Sequence, residues 1–325
     1  LMTPAYAQVD VASGNTTVKA AANGVPVVGI ATATGAGVSH NQYNRFNVDP
    51  QWLVLNNNAS AAAVQSQLAG AVAKNANLND AAKLILNEVV SQNRSTLKGY
   101  MEVAGTRADV VVANPWGITC NGCGFINTDR ATLGTGVPVW GVDDSLLGLR
   151  VKQGDILING AGIKADSQNI LDIVARSIVV DGAVTANDLR LVAGNNDYDY
   201  ADRTTTPLAS SGTAPQQYAI DSTALGGMYA QRISLIATEK GVGVRTLGDV
   251  AARGSDFTLT SAGTIVIQSK NVSAKNNLAL TSTDGKILVS GAPTLSAGES
   301  LALKAPNDNI ESYGSLESNG SMALA

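Results

Sequence analysis

The stretch "FTLTSAGTIVIQSKNVSAKNNLALTSTDGKILVS", residues 257–290, contains the repeat that decides the fold. Its opening tetrapeptide begins at residue 257 and returns in variant form at 278, 301 and 322, at intervals of 21, 23 and 21 residues. A unit of about twenty residues cannot bury its apolar side alone, whereas stacked units give each strand parallel partners about 4.8 Å away. The period therefore predicts a parallel β-helix. A β-sandwich would need antiparallel hairpins and would rarely return one tetrapeptide so regularly.

The composition of the 325 residues favours the all-β class. Aromatic residues make up 4% and charged residues 15%, while glycine (33 residues) and asparagine are abundant. Glycine and asparagine accept the positive φ angles of tight corners, so this mixture suits many short strands separated by turns. The net charge of −4 and the absence of a Lys/Arg cluster predict that the chain binds no nucleic acid. No apolar run approaches the roughly 18 residues that a membrane-spanning helix needs.

Three upstream segments modify the repeat pattern. Residues 154–196 contain further short apolar strands, although Asp181-Gly182 between valine pairs also allows a local antiparallel hairpin. Residues 194–227 lose the pattern and are too long for a corner, which predicts an inserted excursion. Residues 59–78 are rich in alanine and carry apolar residues at helical spacing, so whether residues 60–74 form a short helix stays open.

The two ends of the chain carry their own signals. Ala5-Tyr6-Ala7 before Gln8 is the small-x-small pattern that precedes a signal-peptidase site, although an alanine-rich chain also produces it by chance. We therefore interpret residues 1–7 as the remnant of a signal peptide. The C-terminal "MALA" lies within the repeat, so we expect this chain to be a fragment of a longer repeat array.

A series of ordered segments resembles a known family. The segments are "NQYNRFNVDPQWLVLNN", "NANL" and "AAKLILNEVVSQNRSTLKGYMEVAGTRADVVVANPWGITCNGCGFINT", followed by "VKQGDILINGAGI", "NDYDY" and "ALGGMYAQRISLIATEKGVGVR". Together they resemble the two-partner secretion domain at the N-terminus of large bacterial exoproteins. This group includes filamentous haemagglutinins, secreted haemolysins and contact-dependent growth inhibition toxins. The resemblance covers nearly all of residues 25–250.

This resemblance implies a right-handed parallel β-helix with an N-terminal cap and small extra-helical β elements. It also implies a secretion signal that is exported to the periplasm of a Gram-negative bacterium. There the POTRA modules of a cognate outer-membrane β-barrel transporter would recognise it, and the chain would pass unfolded to the cell surface or medium. We expect a monomer without a cofactor or metal, in which residues 8–250 are the secretion domain and 251–325 are the first haemagglutinin-like repeats of the same solenoid.

Two short motifs of the family have counterparts here. The usual Asn-Pro-Asn-Leu corresponds to Asn75-Ala76-Asn77-Leu78, and the usual Asn-Pro-Asn-Gly-Ile corresponds to Asn114-Pro115-Trp116-Gly117-Ile118. Ala76 lacks the fixed φ angle of proline, and Trp116 replaces an asparagine that could bond to the backbone. The resemblance implies that the transporter or the nascent fold requires these residues: Asn114, Pro115, Trp116, Gly117, Ile118, Asn75, Asn77 and Leu78.

A physical argument supports a signal of this kind. No ATP is available outside the inner membrane, so folding on the far side can bias outward movement. Solenoid rungs contact only their neighbours, so forming the first rung is the slow step and an N-terminal domain can template the later rungs. The segment "VVGIATATGAGVSHNQYNRFNVD", residues 27–49, is the candidate cap that protects the first strand edge, with ordinary first strands as the less favoured alternative.

Cys120 and Cys123 allow three interpretations. A zinc site would usually need four ligands, and the whole chain offers two cysteines and His40. A thioredoxin-like centre places its first cysteine at a helix N-terminus, which the surrounding glycines disfavour. A disulfide that fastens a small loop remains, and it would leave the rest of the chain free to thread a pore.

A secreted β-helical enzyme that cleaves polysaccharides is the main alternative function. It would need clustered carboxylates for a cation or for acid–base chemistry, and a sugar could stack on Tyr198 or Tyr200. The candidate carboxylates, which solvated loops explain more simply, are Asp143, Asp144, Asp197, Asp199 and Asp202. Direct adhesion is a third interpretation, but no patch in the chain marks it. We therefore predict a domain that is not an enzyme.

Overall fold

The computed structural model describes residues 8–209 and 216–325, and within these ranges the regular structure is β-strand, with no α-helix. The signal remnant interpreted at residues 1–7 lies outside the described residues. In these ranges no helix is long and apolar enough to cross a membrane. The strands are β1 (Val9–Ser13), β2 (Thr17–Ala20), β3 (Pro26–Gly29), β4 (Val38–Phe46), β5 (Leu53–Asn57), β6 (Val64–Ser66), β7 (Gly70–Val72), β8 (Leu84–Val89), β9 (Ser95–Leu97), β10 (Tyr100–Gly105), β11 (Asp109–Ala113), β12 (Ile118–Cys120), β13 (Cys123–Ile126), β14 (Arg130–Gly134), β15 (Val137–Trp140), β16 (Leu146–Val151), β17 (Asp155–Asn159), β18 (Ile163–Ala175), β19 (Ser177–Asp181), β20 (Val184–Ala193), β21 (Asn196–Asp199), β22 (Thr205–Pro207), β23 (Tyr218–Ser222), β24 (Met228–Ala230), β25 (Arg232–Ala237), β26 (Gly243–Thr246), β27 (Val250–Ala252), β28 (Phe257–Ser261), β29 (Ile265–Ile267), β30 (Asn271–Ala274), β31 (Leu278–Ser282), β32 (Ile287–Val289), β33 (Thr294–Ala297), β34 (Leu301–Lys304), β35 (Ile310–Ser312), β36 (Ser315–Ser318) and β37 (Met322–Leu324).

Three stacks of parallel strands form the three faces of a β-helix. Stack 1 contains β3, β5, β10, β13, the first part of β18 and of β20, β24, β27, β30, β33 and β36. Stack 2 contains β4, β8, β11, β14, the second part of β18 and of β20, β25, β28, β31, β34 and β37. Stack 3 contains β9, β12, β17, β19, β23, β26, β29, β32 and β35. The chain passes from stack 1 to stack 2 to stack 3 and then begins the next turn of the helix, which we call a rung.

The predicted repeats lie in register. Leu259 pairs with Leu280, Leu280 with Leu303, and Leu303 with Leu324 in stack 2. In β28 the side chains alternate, so that Phe257 and Leu259 are fully buried while Thr258 is exposed. The fold class expected from the 21- to 23-residue period is therefore confirmed.

The N-terminal end of the solenoid is capped, but the cap is formed by residues 9–20 and not by the candidate segment 27–49, which supplies β3 and β4 as the first strands of stacks 1 and 2. β1 pairs antiparallel with β4, and β2 pairs antiparallel with β3, so that these two strands lie against the first strands of stacks 1 and 2. The rings of Tyr43 and Phe46 lie 4.8 Å apart and are fully buried at this end. The cap closes the edge at which the core would otherwise be open to solvent.

Two small antiparallel elements cover the outside of the solenoid. β6 and β7 form a hairpin whose Leu68 and Val72 pack on the outer residues Val54 and Ala104 of stack 1. A four-stranded sheet, which we call the outer sheet, has the order β15, β16, β21, β22 and packs on stack 2. The extra-helical elements implied by the resemblance are therefore present.

Three segments that the sequence left ambiguous are now resolved. Residues 60–74 form the β6–β7 hairpin and not a helix, since the carboxylate of Glu102 accepts bonds from the Ser66 hydroxyl and the Gln67 and Leu68 amides. The excursion at 194–227 supplies β21 and β22 to the outer sheet before β23 returns to stack 3. The turn at 181–182 is no hairpin, because β19 and β20 belong to different parallel stacks.

Candidate functional site: two asparagine turns and a disulfide

The first candidate element is the turn Asn114–Gly117, which we call the Asn114 turn and which links β11 of stack 2 to β12 of stack 3. The Gly117 amide donates to the Asn114 carbonyl at 3.0 Å, and the Trp116 amide donates to the Asn114 side-chain oxygen at 3.0 Å. Asn114 Nδ2 donates to the Asn93 carbonyl at 2.8 Å and to Ser95 Oγ at 3.0 Å, in the rung before. The Asn114 backbone amide donates to the Gly134 carbonyl in the rung after. One buried asparagine thus shapes the turn and ties three rungs together.

The backbone conformation and the limited space at residue 117 explain why this motif contains a glycine. Its φ angle is +106°, in a region that side chains with a Cβ rarely adopt. A Cβ at this position would lie 2.3 Å from Arg94 Nη1 and 3.0 Å from the Asp155 carbonyl oxygen. The space beside the turn is therefore occupied by Arg94, a residue that the sequence did not single out.

The second candidate element is the turn Asn75–Leu78, the Asn75 turn, which precedes β8. The Leu78 amide donates to the Asn75 carbonyl at 3.1 Å, and the Asn77 amide donates to Asn75 Oδ1 at 3.0 Å. Asn75 Nδ2 donates to the carbonyls of Ile30 and Asn56 at 2.9 and 3.0 Å. Asn77 Nδ2 reaches the carbonyls of Asn15 and Ile30 at 2.7 and 3.1 Å. The Asn75 turn therefore repeats the chemistry of the Asn114 turn and joins the cap to the first rung.

The structure does not bring the two turns into one site. The Asn75 turn lies between stacks 1 and 2, whereas the Asn114 turn lies between stacks 2 and 3, and the two turns bond to separate sets of partners. Their key side chains are internal: Asn114 and Ile118 are 0% exposed, Leu78 1% and Asn75 4%. Ala76 is exposed, and Pro115 and Trp116 are half-buried. In the folded domain, a partner therefore reaches only the rims of these motifs.

Cys120 and Cys123 form a disulfide at the corner between β12 and β13, with Cα atoms 5.5 Å apart. Both cysteines are buried in the main core. The amides of Asn121 and Gly122 donate to the carbonyls of Leu97 and Gly162, at the equivalent corners of the rungs on either side. The bridge therefore fastens a corner that hydrogen bonds already tie to its neighbours.

The residues considered for carbohydrate chemistry anchor the outer sheet. Tyr198 and Tyr200 are 1% and 8% exposed, so neither ring is available to stack on a sugar. The Tyr198 hydroxyl donates to Asp172 at 2.5 Å, and Tyr200 donates to Asp109 at 3.1 Å. Burial raises the pKa of both tyrosines. Arg130 donates to Asp172 at 3.1 Å and lies over the Tyr200 ring, so this cluster holds the sheet to stack 2.

Three of the remaining candidate carboxylates, those of Asp143, Asp197 and Asp199, have structural partners. Asp197 accepts two bonds from Arg150, at 2.7 and 2.8 Å, and this hydrogen bonding lowers the pKa of Asp197. Asp199 accepts a bond from the Asp202 amide, and Asp143 accepts bonds from Ser145. His40 lies 2.6 Å from Glu88 and packs on Trp140 of the outer sheet. Among residues 8–209 and 216–325, no three His, Cys, Asp or Glu side chains are grouped to hold a metal ion.

Comparison with known proteins gives consistent similarities. A family model described as TPS secretion domain matches residues 5–267. The chain is 44% identical over 329 residues to the 16S rRNA endonuclease CdiA of Enterobacter cloacae subsp. cloacae, which covers 98% of this chain and 10% of that protein. It is 50% identical over 266 residues to the tRNA nuclease CdiA of Escherichia coli O6:K15:H31, covering 81% of this chain and 8% of that protein. This chain therefore spans about a tenth of the length of such relatives.

Among solved structures, the crystal structure of a filamentous hemagglutinin secretion domain superposes with a TM-score of 0.79. The two sequences are 33% identical, and the match covers 98% of this chain and 99% of that chain. The similarity therefore includes the cap and the rungs alike.

Proposed function

The chain belongs to the family of two-partner secretion (TPS) domains, and from this premise we propose that it is the secretion signal and folding nucleus of a large exported protein. Its partner is a cognate outer-membrane transporter with periplasmic POTRA modules. The route leads through the periplasm to the surface or medium of a Gram-negative bacterium. This domain contributes recognition and folding, and any toxic activity belongs to other parts of the exported protein.

One observation carries this proposal: the motif asparagines Asn75 and Asn114 are buried and bonded to neighbouring rungs. Asn114 bonds to the rungs before and after its own. Asn75 joins β5 to the residue after β3, and Asn77 of the same turn bonds to Asn15 of the cap. In the unfolded chain these amides are accessible to a transporter, and in the folded domain they are internal. Folding therefore ends the contact between the motif and the transporter, and it builds the first strand edge on which later rungs assemble.

The names of the relatives suggest the kind of cargo. Two relatives are described as a 16S rRNA endonuclease and a tRNA nuclease, and this chain matches about a tenth of each. We propose that a chain of this type leads the export of a toxin of the same general class. The solved neighbour, a filamentous hemagglutinin secretion domain, makes an adhesin the alternative cargo.

Secretion with a cognate transporter tests the proposal. We expect Asn114→Ala combined with Pro115→Ala to reduce the amount of this chain in the medium at least tenfold, because the turn loses its shaping side chain and fixed φ angle. Asn277→Ala is the matched control, since Asn277 also bonds at a corner, but to Asp256 and Ser300 in the later repeats. Immunoblots of medium and periplasm, with and without the transporter, give the readout.

Three results would overturn the proposal. Wild-type chain that never reaches the medium would exclude a secretion signal. Transporter-independent release would exclude the partner. Equal secretion of the double variant and of Asn277→Ala would show that the Asn114 turn has no special role.

A further inference from the structure

We propose that Arg94 and Asp155 form a clamp through the space left by Gly117, and that this clamp positions the Asn114 turn so that the rungs of β9, β12 and β17 nucleate folding. The inference rests on the proposed secretion function and extends the signal to two residues outside the motif. Arg94 lies 20 residues before Asn114, and Asp155 lies 41 residues after it.

The clamp is built from four hydrogen bonds of one guanidinium group. Arg94 Nη1 and Nη2 donate to the two carboxylate oxygens of Asp155 at 2.9 and 2.8 Å. Nε donates to Thr119 Oγ1 at 2.8 Å, and Nη2 also donates to the Ile118 carbonyl at 2.9 Å. The paired arrangement uses the planar fork of arginine, which lysine cannot reproduce. Arg94 therefore holds the strand that leaves the Asn114 turn and the strand of the next rung together.

The three residues occupy one column of stack 3. Ile118 pairs with Ser95 on one side and with Ile156 on the other. Arg94, Gly117 and Asp155 each stand one residue before these partners, so they belong to three successive rungs. Gly117 lies in the middle, and a side chain there would collide with the guanidinium. Gly117 therefore leaves the space that the Arg94 guanidinium group needs to reach Asp155.

The solvent exposure of Arg94 and Asp155 indicates that the clamp has a role other than stabilising the folded domain. The side chains of Arg94 and Asp155 are 33% and 43% exposed, and ion pairs this exposed contribute little net stability. Their position is nonetheless distinctive, because the outer-sheet strands β15 and β16 intervene between β12 and β17. Closing the clamp recruits β17 across that excursion and gives β12 its second neighbour. We therefore expect the clamp to act on the rate of folding more than on final stability.

The test compares two arginine–aspartate pairs of the same stack. Arg245 makes a paired contact with Asp221 at 2.8 and 2.9 Å but lies away from the motif, so Arg245→Met is the matched control for Arg94→Met. We expect Arg94→Met and Asp155→Asn each to slow refolding of the purified domain from urea and to lower transporter-dependent secretion at least fivefold. Arg94→Lys should restore only part of this loss, and the control should match wild type in both assays.

Coupling between the residues provides the second measurement. Combining Arg94→Met with Asp155→Asn should slow refolding no more than the worse single variant. Gly117→Ala should be less harmful when Arg94 is replaced by alanine, because the collision disappears. Wild-type refolding and secretion in Arg94→Met, or additive effects in the double variant, would overturn the clamp even if the Asn114 turn is required. Loss of secretion in the Arg245→Met control to the same extent would also overturn it.

Discussion

At the scale of single residues, the domain uses buried amides and carboxylates as connectors between rungs. Asn75 and Asn114 each combine one backbone turn with bonds to distant carbonyls. Asp172 is fully buried and accepts bonds from Arg130, Tyr198 and Arg203. Such groups are costly to bury unless every partner is present, so they specify which strands must lie side by side.

A pH-dependent prediction concerns Asp109. Burial raises the pKa of its carboxyl group, although the hydrogen bond from Tyr200 acts in the opposite direction. A carboxyl group with a raised pKa in the folded state binds its proton more tightly there than when unfolded. Stability is then lost as pH rises from the unfolded value of about 3.9 through the folded pKa. Asp109→Asn keeps an acceptor for Tyr200 but cannot ionise. We expect its stability relative to wild type to increase between pH 3.5 and 7.

Urea unfolding midpoints at several pH values check this prediction. Asp197→Asn is the useful comparison, because bonding to Arg150 lowers the pKa of Asp197. Its carboxylate therefore contributes stability above the unfolded pKa, which is lost as pH falls through the folded pKa. A constant difference between Asp109→Asn and wild type across the pH range would contradict the assignment.

At the scale of elements, the sequence predicted the repeats well and the additions less completely. The strands with alternating apolar residues could be assigned because both the period of two and the 21- to 23-residue interval are local signals. The β6–β7 hairpin could not, because alanine favours a helix and the deciding group, Glu102, lies outside the segment. Tyr198 and Tyr200 were candidate sugar platforms for the same reason, since their alternation with aspartates does not reveal the stack beneath them.

The candidate site shows the same limit. Asparagine, proline and glycine indicate a turn at residues 114–117 from the local sequence, whereas the choice of these residues as a candidate site came from the resemblance to the family. Arg94 could not, because it meets Asp155 61 residues later and the register between the two depends on the outer-sheet excursion. The residues of successive rungs that lie side by side in stack 3 can be identified from the sequence only after the strands have been aligned.

The disulfide corner gives a prediction at this scale. Replacing Cys120 and Cys123 together by alanine removes a crosslink over a loop of four residues, for which the chain-entropy expression gives about 2 kcal/mol. We expect the free energy of unfolding in urea to fall by about that amount. Wild type that is reduced while unfolded and refolded with its thiols blocked from oxidation is the control and should match the variant. Unchanged stability in the alanine variant would show that the corner bonds suffice alone.

At the scale of the whole molecule, the solenoid should respond to damage locally. Leu280 is fully buried and pairs with Leu259 and Leu303, its neighbours along stack 2. Leu280→Ala removes packing worth roughly 2–5 kcal/mol, and each rung contacts only its neighbours. We expect amide hydrogen exchange to accelerate at least tenfold in residues 257–304 and to stay unchanged in residues 84–134.

Mass-spectrometric hydrogen exchange provides the measurement. Thr258→Ala, at an exposed position of the same stack, should leave exchange unchanged throughout. Faster exchange that spreads evenly to residues 84–134 would mean that the domain unfolds as one cooperative unit and not rung by rung.

The position of the outer sheet correlates with the types of residue on the outward side of stack 2. Under the sheet, the outward residues of stack 2 are either apolar, such as Leu86, Val111 and Val192, or buried and paired, such as Asp172 with Arg130. In the later strands of stack 2, which the outer sheet does not cover, the outward positions are occupied by exposed polar residues such as Thr258 and Lys304. A run of apolar outward residues along a strand of this stack therefore indicates that a second layer covers it. In a longer relative, runs of apolar outward residues would indicate which strands of the solenoid carry a second layer before any coordinates were known.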